Sequence, residues 1–157
     1  VEEAEVLRLL QAVLDAGADR VGLADTVGYA DPLQVNRLFE KSFAVAGDRL
    51  ACGHFHDTRG LGLANVTAAL DCGVRRFDAS LAGLGGCQFA PGATGNIVMD
   101  DLCFLLDSMG LRTGVDLDKL VQVRQVIARN LPGVPLYGGL ARSGLPRNYI
   151  PAAQRAA

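Results

Sequence analysis

The two histidines of the chain, His54 and His56, are separated by one residue in the segment Cys52-Gly53-His54-Phe55-His56-Asp57-Thr58. Alternate residues of a β-strand point to the same face, so a strand that ends here aims both imidazoles in one direction. Imidazole is the commonest side-chain ligand of protein-bound metals, and the neighbouring Asp57 is placed to orient one of the rings. The spacing alone is more typical of two histidines on an exposed strand end or in a loop. Two ligands for one divalent metal is the alternative, and the rest of the sequence decides between them.

A second group of reactive residues lies in the glycine-rich stretch from Gly83 to Asn96, which contains five glycines. Cys87 in its middle is a candidate proton donor or nucleophile, because the chemistry of a thiol depends on its pKa. Asn96 offers a neutral oxygen, and oxygen ligands beside imidazoles suit Mg²⁺ or Mn²⁺. Taken alone, the stretch is more typical of a flexible connection. It is not a Walker loop, because no Gly-Lys-Ser/Thr follows the glycines.

The composition describes a globular protein without strong electrostatic preferences. The chain has 157 residues, of which 50% are hydrophobic and 20% charged, and its net charge is −2. This balance gives no general attraction for nucleic acid or for an anionic membrane, and no apolar run approaches the ~20 residues that span a bilayer. The four cysteines are irregularly spaced, which favours reduced thiols in a cytoplasm-like compartment. Because the first residue is a valine, the natural N-terminus is not expected to be in view.

Strand and helix patterns alternate at intervals of about 25–30 residues, which is typical of parallel βα units. The predicted strands are 20–24, 49–54 and 74–80, and the predicted helices are 3–16, 32–45, 61–72, 97–109 and 116–131. Polar and glycine-rich residues follow all three strands, at the end where TIM barrels build their active sites. A complete barrel needs eight strands, so we predict an α/β fold made of the C-terminal βα units of a TIM (β/α)8 barrel: three parallel strands plus a C-terminal helix. An open doubly wound sheet is the alternative.

Three segments together resemble 3-hydroxy-3-methylglutaryl-CoA lyases, in the order and spacing of that family. They are Leu23-Ala24-Asp25-Thr26-Val27-Gly28, then His54-Phe55-His56-Asp57-Thr58-Arg59-Gly60, and then Gly83-Leu84-Gly85-Gly86-Cys87 with Gly92-Ala93-Thr94-Gly95-Asn96. Related synthases and aldolases share the His-x-His motif but not the cysteine-bearing loop, so the lyase branch is preferred. The resemblance implies that residues 1–114 are the C-terminal part of a TIM-barrel lyase domain, and that residues 115–157 are the C-terminal helix and tail of the same domain.

The resemblance implies a metal site. His54 and His56 match the two histidine ligands of the family, and Asn96 matches the asparagine ligand that follows the cysteine loop. The implied cofactor is a divalent cation, Mg²⁺ or Mn²⁺. The family's remaining ligand is an aspartate at the end of the first barrel strand, beside an arginine that polarises the substrate carbonyl. Neither has a counterpart in this chain, so we expect the site to be incomplete without the N-terminal half of the barrel.

The resemblance also implies catalytic roles. Cys87 matches the catalytic cysteine, Asp25 matches an aspartate implicated in proton handling, and Thr26 matches a neighbouring substrate-binding residue. Loss of the proton from a tertiary hydroxyl would allow retro-Claisen cleavage, and a general acid would protonate the departing enolate of acetyl-CoA. The other product would be acetoacetate or a related keto acid, which associates the chain with leucine degradation and ketone-body metabolism.

Several alternatives and minor expectations accompany this hypothesis. The alternatives are a citramalyl-CoA-type lyase, an acetyl-CoA-dependent Claisen synthase on the same scaffold, and an inactive fragment that lacks the N-terminal half of the barrel. The expected partners are an acyl-CoA substrate, a second copy in a homodimer and the missing N-terminal half, with no nucleic acid or membrane.

Two residues depart from the family pattern, with Asp100 in place of a glutamate and Arg59 in place of a tyrosine common in animal enzymes. The remaining cysteines are expected to be buried small hydrophobic residues: Cys52, Cys72 and Cys103. The charged residues of the last helix are expected to face solvent: Lys119, Arg124 and Arg129.

Overall fold

A computed structural model describes residues 1–86 and 95–155 of the chain. Helices and strands alternate through the first half, and helices follow in the second. The strands are β1 (Val21–Asp25), β2 (Leu50–Phe55) and β3 (Phe77–Asp78). The α-helices are α1 (Glu3–Asp15), α2 (Pro32–Ala46), α3 (Gly62–Asp71), α4 (Met99–Ser108), α5 (Leu117–Asn130) and α6 (Gly139–Ser143). Short 3-10 helices lie at Gly47–Arg49, Leu81–Gly83 and Ala152–Gln154.

The three strands form one parallel sheet in the order β1-β2-β3. The two faces of β2 differ, because neighbouring side chains along a strand alternate between faces. Phe55 lies on the face that packs against the helices, with its ring 6.3 Å from Phe39 of α2 and 6.4 Å from Phe77 of β3. Cys52 and His54 lie on the opposite face of β2. The packing of Phe55 therefore determines which side chains of β2 lie on the face away from the helices.

The helices of the first half begin and end within one residue of the predicted positions. Asp31 accepts a hydrogen bond from the Gln34 N–H at 2.9 Å, and Pro32 occupies the first turn of α2, as expected of a capped helix. Glu3 of α1 forms ion pairs with Arg37 and Lys41 of α2. Hydrogen bonds from these two cations lower the pKa of the Glu3 carboxyl to about 2.

The chain divides into two compact units. The N-terminal unit consists of residues 1–78, and the C-terminal unit consists of residues 79–86 and 95–155 of the described chain. The C-terminal unit has its own hydrophobic cluster of Cys103, Leu117 and Leu140, one residue from each of α4, α5 and α6. The division predicted between residues 114 and 115 stays a prediction.

Two predicted boundaries are wrong for identifiable reasons. The third strand is only Phe77–Asp78, because the Val74 N–H bonds to the Ala69 carbonyl and the chain is still leaving α3 there. Helix α4 begins at Met99 rather than at residue 97. Val98 makes an isolated parallel bridge with Ser80 instead, and the Met99 N–H donates to the Ser80 carbonyl at 2.9 Å. Residues predicted as a first helical turn are therefore extended backbone.

Arg124 and two of the cysteines also differ from expectation. Arg124 is nearly buried and paired with Asp100, which is fully buried. Cys103 is buried as predicted, whereas Cys52 and Cys72 are half-buried and each donates a thiol hydrogen bond. In the part of the chain that the structure describes, no helix has both the length and the apolar character needed to cross a membrane.

Candidate metal and active site

Asp25 ends β1 and organises the loop that follows it. Its two carboxylate oxygens accept hydrogen bonds from the backbone N–H groups of Tyr29 and Ala30, each at 3.0 Å. The Asp25 carbonyl accepts a further hydrogen bond from the His56 N–H at 3.3 Å. The Asp25 carboxylate is thus held beside the end of β2, and each of its oxygens keeps a lone pair for a further proton donor.

The two histidines lie together at the end of β2. His54 is within the strand and His56 is the residue after its end, so both keep the alternation that the sequence predicts. Their ring centroids are 5.2 Å apart with the planes tilted by 59°. His56 is buried, with 6% of its surface exposed, whereas about a third of the His54 side chain is exposed. The two imidazoles are close enough to face one small ligand from two sides.

Arg59, from the loop after β2, ties that loop to the one after β1. Its Nη1 donates to the carbonyls of Val27 and Gly28, both at 3.3 Å, and its guanidinium carbon lies 4.0 Å from the centre of the Tyr29 ring. Stacking of a guanidinium on an aromatic face is an attractive cation–π contact. Arg59, which stands in place of a tyrosine common in animal enzymes, therefore has a structural role: it holds the two loops together.

Gly28 is required where these two loops meet. It has φ +64°, and a Cβ at this position would lie 2.9 Å from Thr58 Cβ and 3.0 Å from the Thr58 backbone nitrogen. We expect Gly28→Ala to lower the free energy of unfolding by about 1–3 kcal/mol for the left-handed backbone, and by about 1–3 kcal/mol more for the clash.

Gly60→Ala is the matched control for Gly28→Ala, because Gly60 has φ +73° but nothing within 4 Å of an added Cβ. It should show the backbone cost alone. Urea unfolding of the two variants measures the difference between them. Equal losses of stability would contradict the close approach of the two loops.

Asn96 belongs to the C-terminal unit, where its amide is held in one orientation. Its Nδ2 donates to the carbonyls of Leu84 at 2.8 Å and Gly85 at 3.2 Å. The amide oxygen of Asn96 is buried and has no hydrogen-bond partner among the described residues. Burial of a polar atom without a partner costs free energy. The lone pairs of this oxygen are therefore available to coordinate a cation.

The ligand chemistry of each unit suits a divalent cation. The two imidazoles of the N-terminal unit are nitrogen ligands, and the unsatisfied Asn96 oxygen of the C-terminal unit is an oxygen ligand of the kind that Mg²⁺ and Mn²⁺ prefer. Within residues 1–86 and 95–155, no three His, Cys, Asp or Glu side chains cluster in a way that could hold a metal ion. The two histidines therefore need further ligands to complete a metal site.

Asp57 is predicted to orient an imidazole, and its described contact is with a helix. Its Oδ1 accepts a hydrogen bond from the Gly62 N–H at 2.9 Å, at the first turn of α3. The carboxylate that approaches the ring of His54 is Asp78 of β3, with its Oδ2 3.7 Å from the Nδ1 of His54. Sequence reasoning missed Asp78, because the contact depends on the register between strands and not on nearness along the chain.

A cavity of about 400 Å³ in the N-terminal unit opens beside Asp25 and Thr26. Its remaining lining is mostly apolar and comes from Val1, β1, the loop after β1, α2 and Phe55. Neither histidine lines it, so Asp25 and Thr26 are the two predicted site residues that border this space. Cys87 lies outside the described residues.

Asp100 and Arg124 form a buried ion pair in the C-terminal unit. Burial raises the pKa of the Asp100 carboxyl, and the neighbouring Arg124 opposes that rise. One carboxylate oxygen of Asp100 has no hydrogen-bond partner within the described part of the chain. The adjacent Asp101 accepts hydrogen bonds from the N–H groups of Gly139 and Leu140 at 2.8 and 2.7 Å, which fastens α6 to α4.

Comparison with known proteins gives a consistent family. The HMGL-like family model matches residues 1–127. Hydroxymethylglutaryl-CoA lyase of Pseudomonas mevalonii is 43% identical over 126 residues, which are 80% of this chain and 42% of that protein. (R)-citramalyl-CoA lyase of Chloroflexus aurantiacus is 39% identical over 144 residues, which are 92% of this chain and 45% of that protein.

Solved structures agree with these matches. An HMG-CoA lyase from Acinetobacter baumannii, in complex with coenzyme A and 3-methylmalate, is 43% identical and superposes with a TM-score of 0.88, covering 96% of this chain and 49% of that one. An HMG-CoA lyase from Pseudomonas aeruginosa is 38% identical with a TM-score of 0.82, covering 90% and 47% of the two chains. The chain spans somewhat less than half the length of these relatives. The predicted fold class, parallel βα units of a TIM barrel, is confirmed, and the chain belongs to the HMGL-like family.

Proposed function

We propose that this chain is part of a carbon–carbon lyase that cleaves a 3-hydroxy-3-methylglutaryl-CoA-like thioester to acetyl-CoA and acetoacetate or a related keto acid. The observation that carries the proposal is the juxtaposition of Asp25, His54 and His56 at the ends of two neighbouring parallel strands. The named relatives support the reaction class, since hydroxymethylglutaryl-CoA lyases and a citramalyl-CoA lyase both break a carbon–carbon bond.

The proposed ligands of a divalent cation, Mg²⁺ or Mn²⁺, are His54, His56 and Asn96. The ring geometry of the two histidines and the unsatisfied Asn96 oxygen support this assignment. When bound, such a cation supplies Lewis acidity to the oxygens of the substrate and a fixed point for its orientation. Further ligands would come from the N-terminal half of the barrel or from water.

Asp25 is the proposed base. Its carboxylate is held by two backbone N–H groups, so it is oriented before substrate binds and can accept the proton of the tertiary hydroxyl. As that proton leaves, the oxygen forms a ketone and the carbon–carbon bond breaks. The bond's electron pair goes to the thioester fragment, which becomes the enolate of acetyl-CoA. Thr26, beside the cavity at the end of β1, is the proposed substrate contact.

Cys87 is the proposed general acid. Its thiol gives a proton to the carbon of the enolate, which yields acetyl-CoA and leaves a thiolate. Return of the proton from Asp25, directly or through water, restores both groups for the next cycle. No net oxidation or reduction occurs, so the reaction needs no redox partner.

A citramalyl-CoA-type lyase is the second candidate, because the relative from Chloroflexus aurantiacus matches more of this chain than the lyase from Pseudomonas mevalonii does. A Claisen synthase on the same scaffold is the third. The full-length protein that contains these residues, supplied with Mg²⁺, should release acetyl-CoA from hydroxymethylglutaryl-CoA or from citramalyl-CoA. Condensation of acetyl-CoA with a keto acid, and no cleavage of either thioester, would make the protein a synthase and contradict the proposal.

The remaining assignments extend the same proposal. The substrate is an acyl-CoA, and the working unit includes the N-terminal half of the barrel, with a homodimer as the proposed assembly. The reaction belongs to leucine degradation and ketone-body metabolism if the acyl group is methylglutaryl. A cytoplasmic location suits the cysteines, since Cys52, Cys72 and Cys103 are free thiols, which persist in reducing compartments.

A further inference from the structure

Asp78 and His54 face each other across neighbouring strands. They are register partners in the parallel pairing of β2 with β3. The Oδ2 of Asp78 lies 3.7 Å from the Nδ1 of His54, slightly longer than a hydrogen bond. The backbone pairing of the two strands therefore places this carboxylate next to the imidazole.

Cys52 contacts the same carboxylate oxygen as His54. It lies two residues before His54 on β2 and therefore on the same face. Its Sγ donates to the Oδ2 of Asp78 at 3.4 Å. This hydrogen bond holds the Asp78 carboxylate beside His54.

We propose that Asp78 is the positioning residue of His54, accepting the Nδ1–H of the imidazole and so presenting its Nε2 to the divalent cation of the proposed lyase. This inference rests on the proposed function. Histidine ligands commonly donate their second ring nitrogen to a carboxylate, which fixes the tautomer and the ring orientation and makes the ligand more basic. Among the described residues, Asp78 is the carboxylate in ion-pair contact with His54.

Two further observations support this role over a purely structural one. The Asp78 side chain is 67% exposed, so its contribution to core packing is small. Asp57, the acidic residue beside the histidines in the sequence, is instead engaged with the first turn of α3. The described side-chain contacts of this exposed carboxylate are with the His54 imidazole and the Cys52 thiol, so its main effect is on the orientation of those two groups.

The test is Mn²⁺ affinity of the full-length protein, measured by the loss of the free-ion electron paramagnetic resonance signal, for Asp78→Asn and for Asp71→Asn. Loss of a carboxylate that orients a metal ligand costs about 10–100-fold in affinity, and we expect this range for Asp78→Asn. Asp71→Asn, an exposed change of the same charge at the end of α3, should leave the affinity within about twofold of the parent. ¹⁵N NMR of the His54 ring should show Nδ1 protonated in the metal-free parent and mixed tautomers in Asp78→Asn.

Each outcome decides one claim. Equal Mn²⁺ affinity of parent and Asp78→Asn, or an unchanged His54 tautomer, overturns the role of Asp78 while the metal site stands. Absence of Mn²⁺ binding by the parent overturns the metal site itself, and the inference with it. If Asp78→Asn unfolds at a lower urea concentration than the parent, Asp78→Glu, which keeps the carboxylate, decides instead. It should bind Mn²⁺ more tightly than Asp78→Asn, and an equal loss of affinity in both variants overturns the inference.

Discussion

Replacing Cys87 by alanine in the full-length protein should lower the turnover of hydroxymethylglutaryl-CoA by about 10²–10⁴-fold, the range typical of removing a general acid. Mn²⁺ affinity should stay unchanged, because the proposed ligands are His54, His56 and Asn96. Steady-state release of acetyl-CoA measures turnover, and Mn²⁺ titration measures the site.

Cys72→Ala is the matched control for Cys87→Ala. Cys72 is a half-buried thiol that donates to the Asn36 carbonyl, where it has no part in the proposed reaction. The control should keep the turnover of the parent. Turnover by Cys87→Ala equal to that of Cys72→Ala would remove Cys87 from the mechanism.

Replacing either histidine of β2 should cost more Mn²⁺ affinity than the 10–100-fold expected of an orienting carboxylate, because each replacement removes a donor atom outright. The two variants should differ in stability. His56 is buried with 6% of its surface exposed, so His56→Ala also leaves a void and lowers the urea midpoint, whereas about a third of the His54 side chain is exposed.

Arg59→Ala is the control that distinguishes the loss of a metal ligand from a disturbance of the loops beside the histidines. It removes the contacts between the two loops but no proposed donor, so the Mn²⁺ affinity should fall far less than in His54→Ala. If Mn²⁺ binds His54→Ala and the parent equally well, His54 is not a ligand.

The positions of the site residues in the first half of the chain were predictable, because hydrophobic periodicity there determines the strands. The apolar residues before Asp25 and His54 form β1 and β2, and the alternation along β2 leaves His54 and His56 on one side while Phe55 packs on α2. Local pattern and tertiary packing agree here, which is the condition under which sequence reasoning succeeds.

The contacts made by charged residues were not predictable, because they depend on register and on long-range pairing. Asp57 is next to the histidines in sequence, yet Asp78 of the neighbouring strand faces His54. The amphipathic pattern of its helix predicts that Arg124 faces solvent, yet Arg124 pairs with a fully buried Asp100. The local sequence does not determine which carboxylate pairs with a given basic side chain.

The backbone after β3 was predicted least well. Ile97 and Val98 are apolar and precede a helical pattern, so the sequence does not separate them from α4. In the structure the Ser80 N–H donates to the Ile97 carbonyl and the Met99 N–H to the Ser80 carbonyl, which keeps these residues extended. Asn96 comes directly before these residues, and its amide is oriented by the carbonyls of Leu84 and Gly85. A short pairing of this kind has too few residues to produce a periodic signal.

The most direct test of the central proposal is the product balance of the full-length protein with hydroxymethylglutaryl-CoA, with Mg²⁺ and after removal of metal by a chelator. We expect acetyl-CoA and acetoacetate to form in a one-to-one ratio with Mg²⁺, and formation of both to stop in chelator and resume when Mg²⁺ is restored. Release of free coenzyme A without acetoacetate would show thioester hydrolysis instead of carbon–carbon cleavage, and would contradict the proposed lyase.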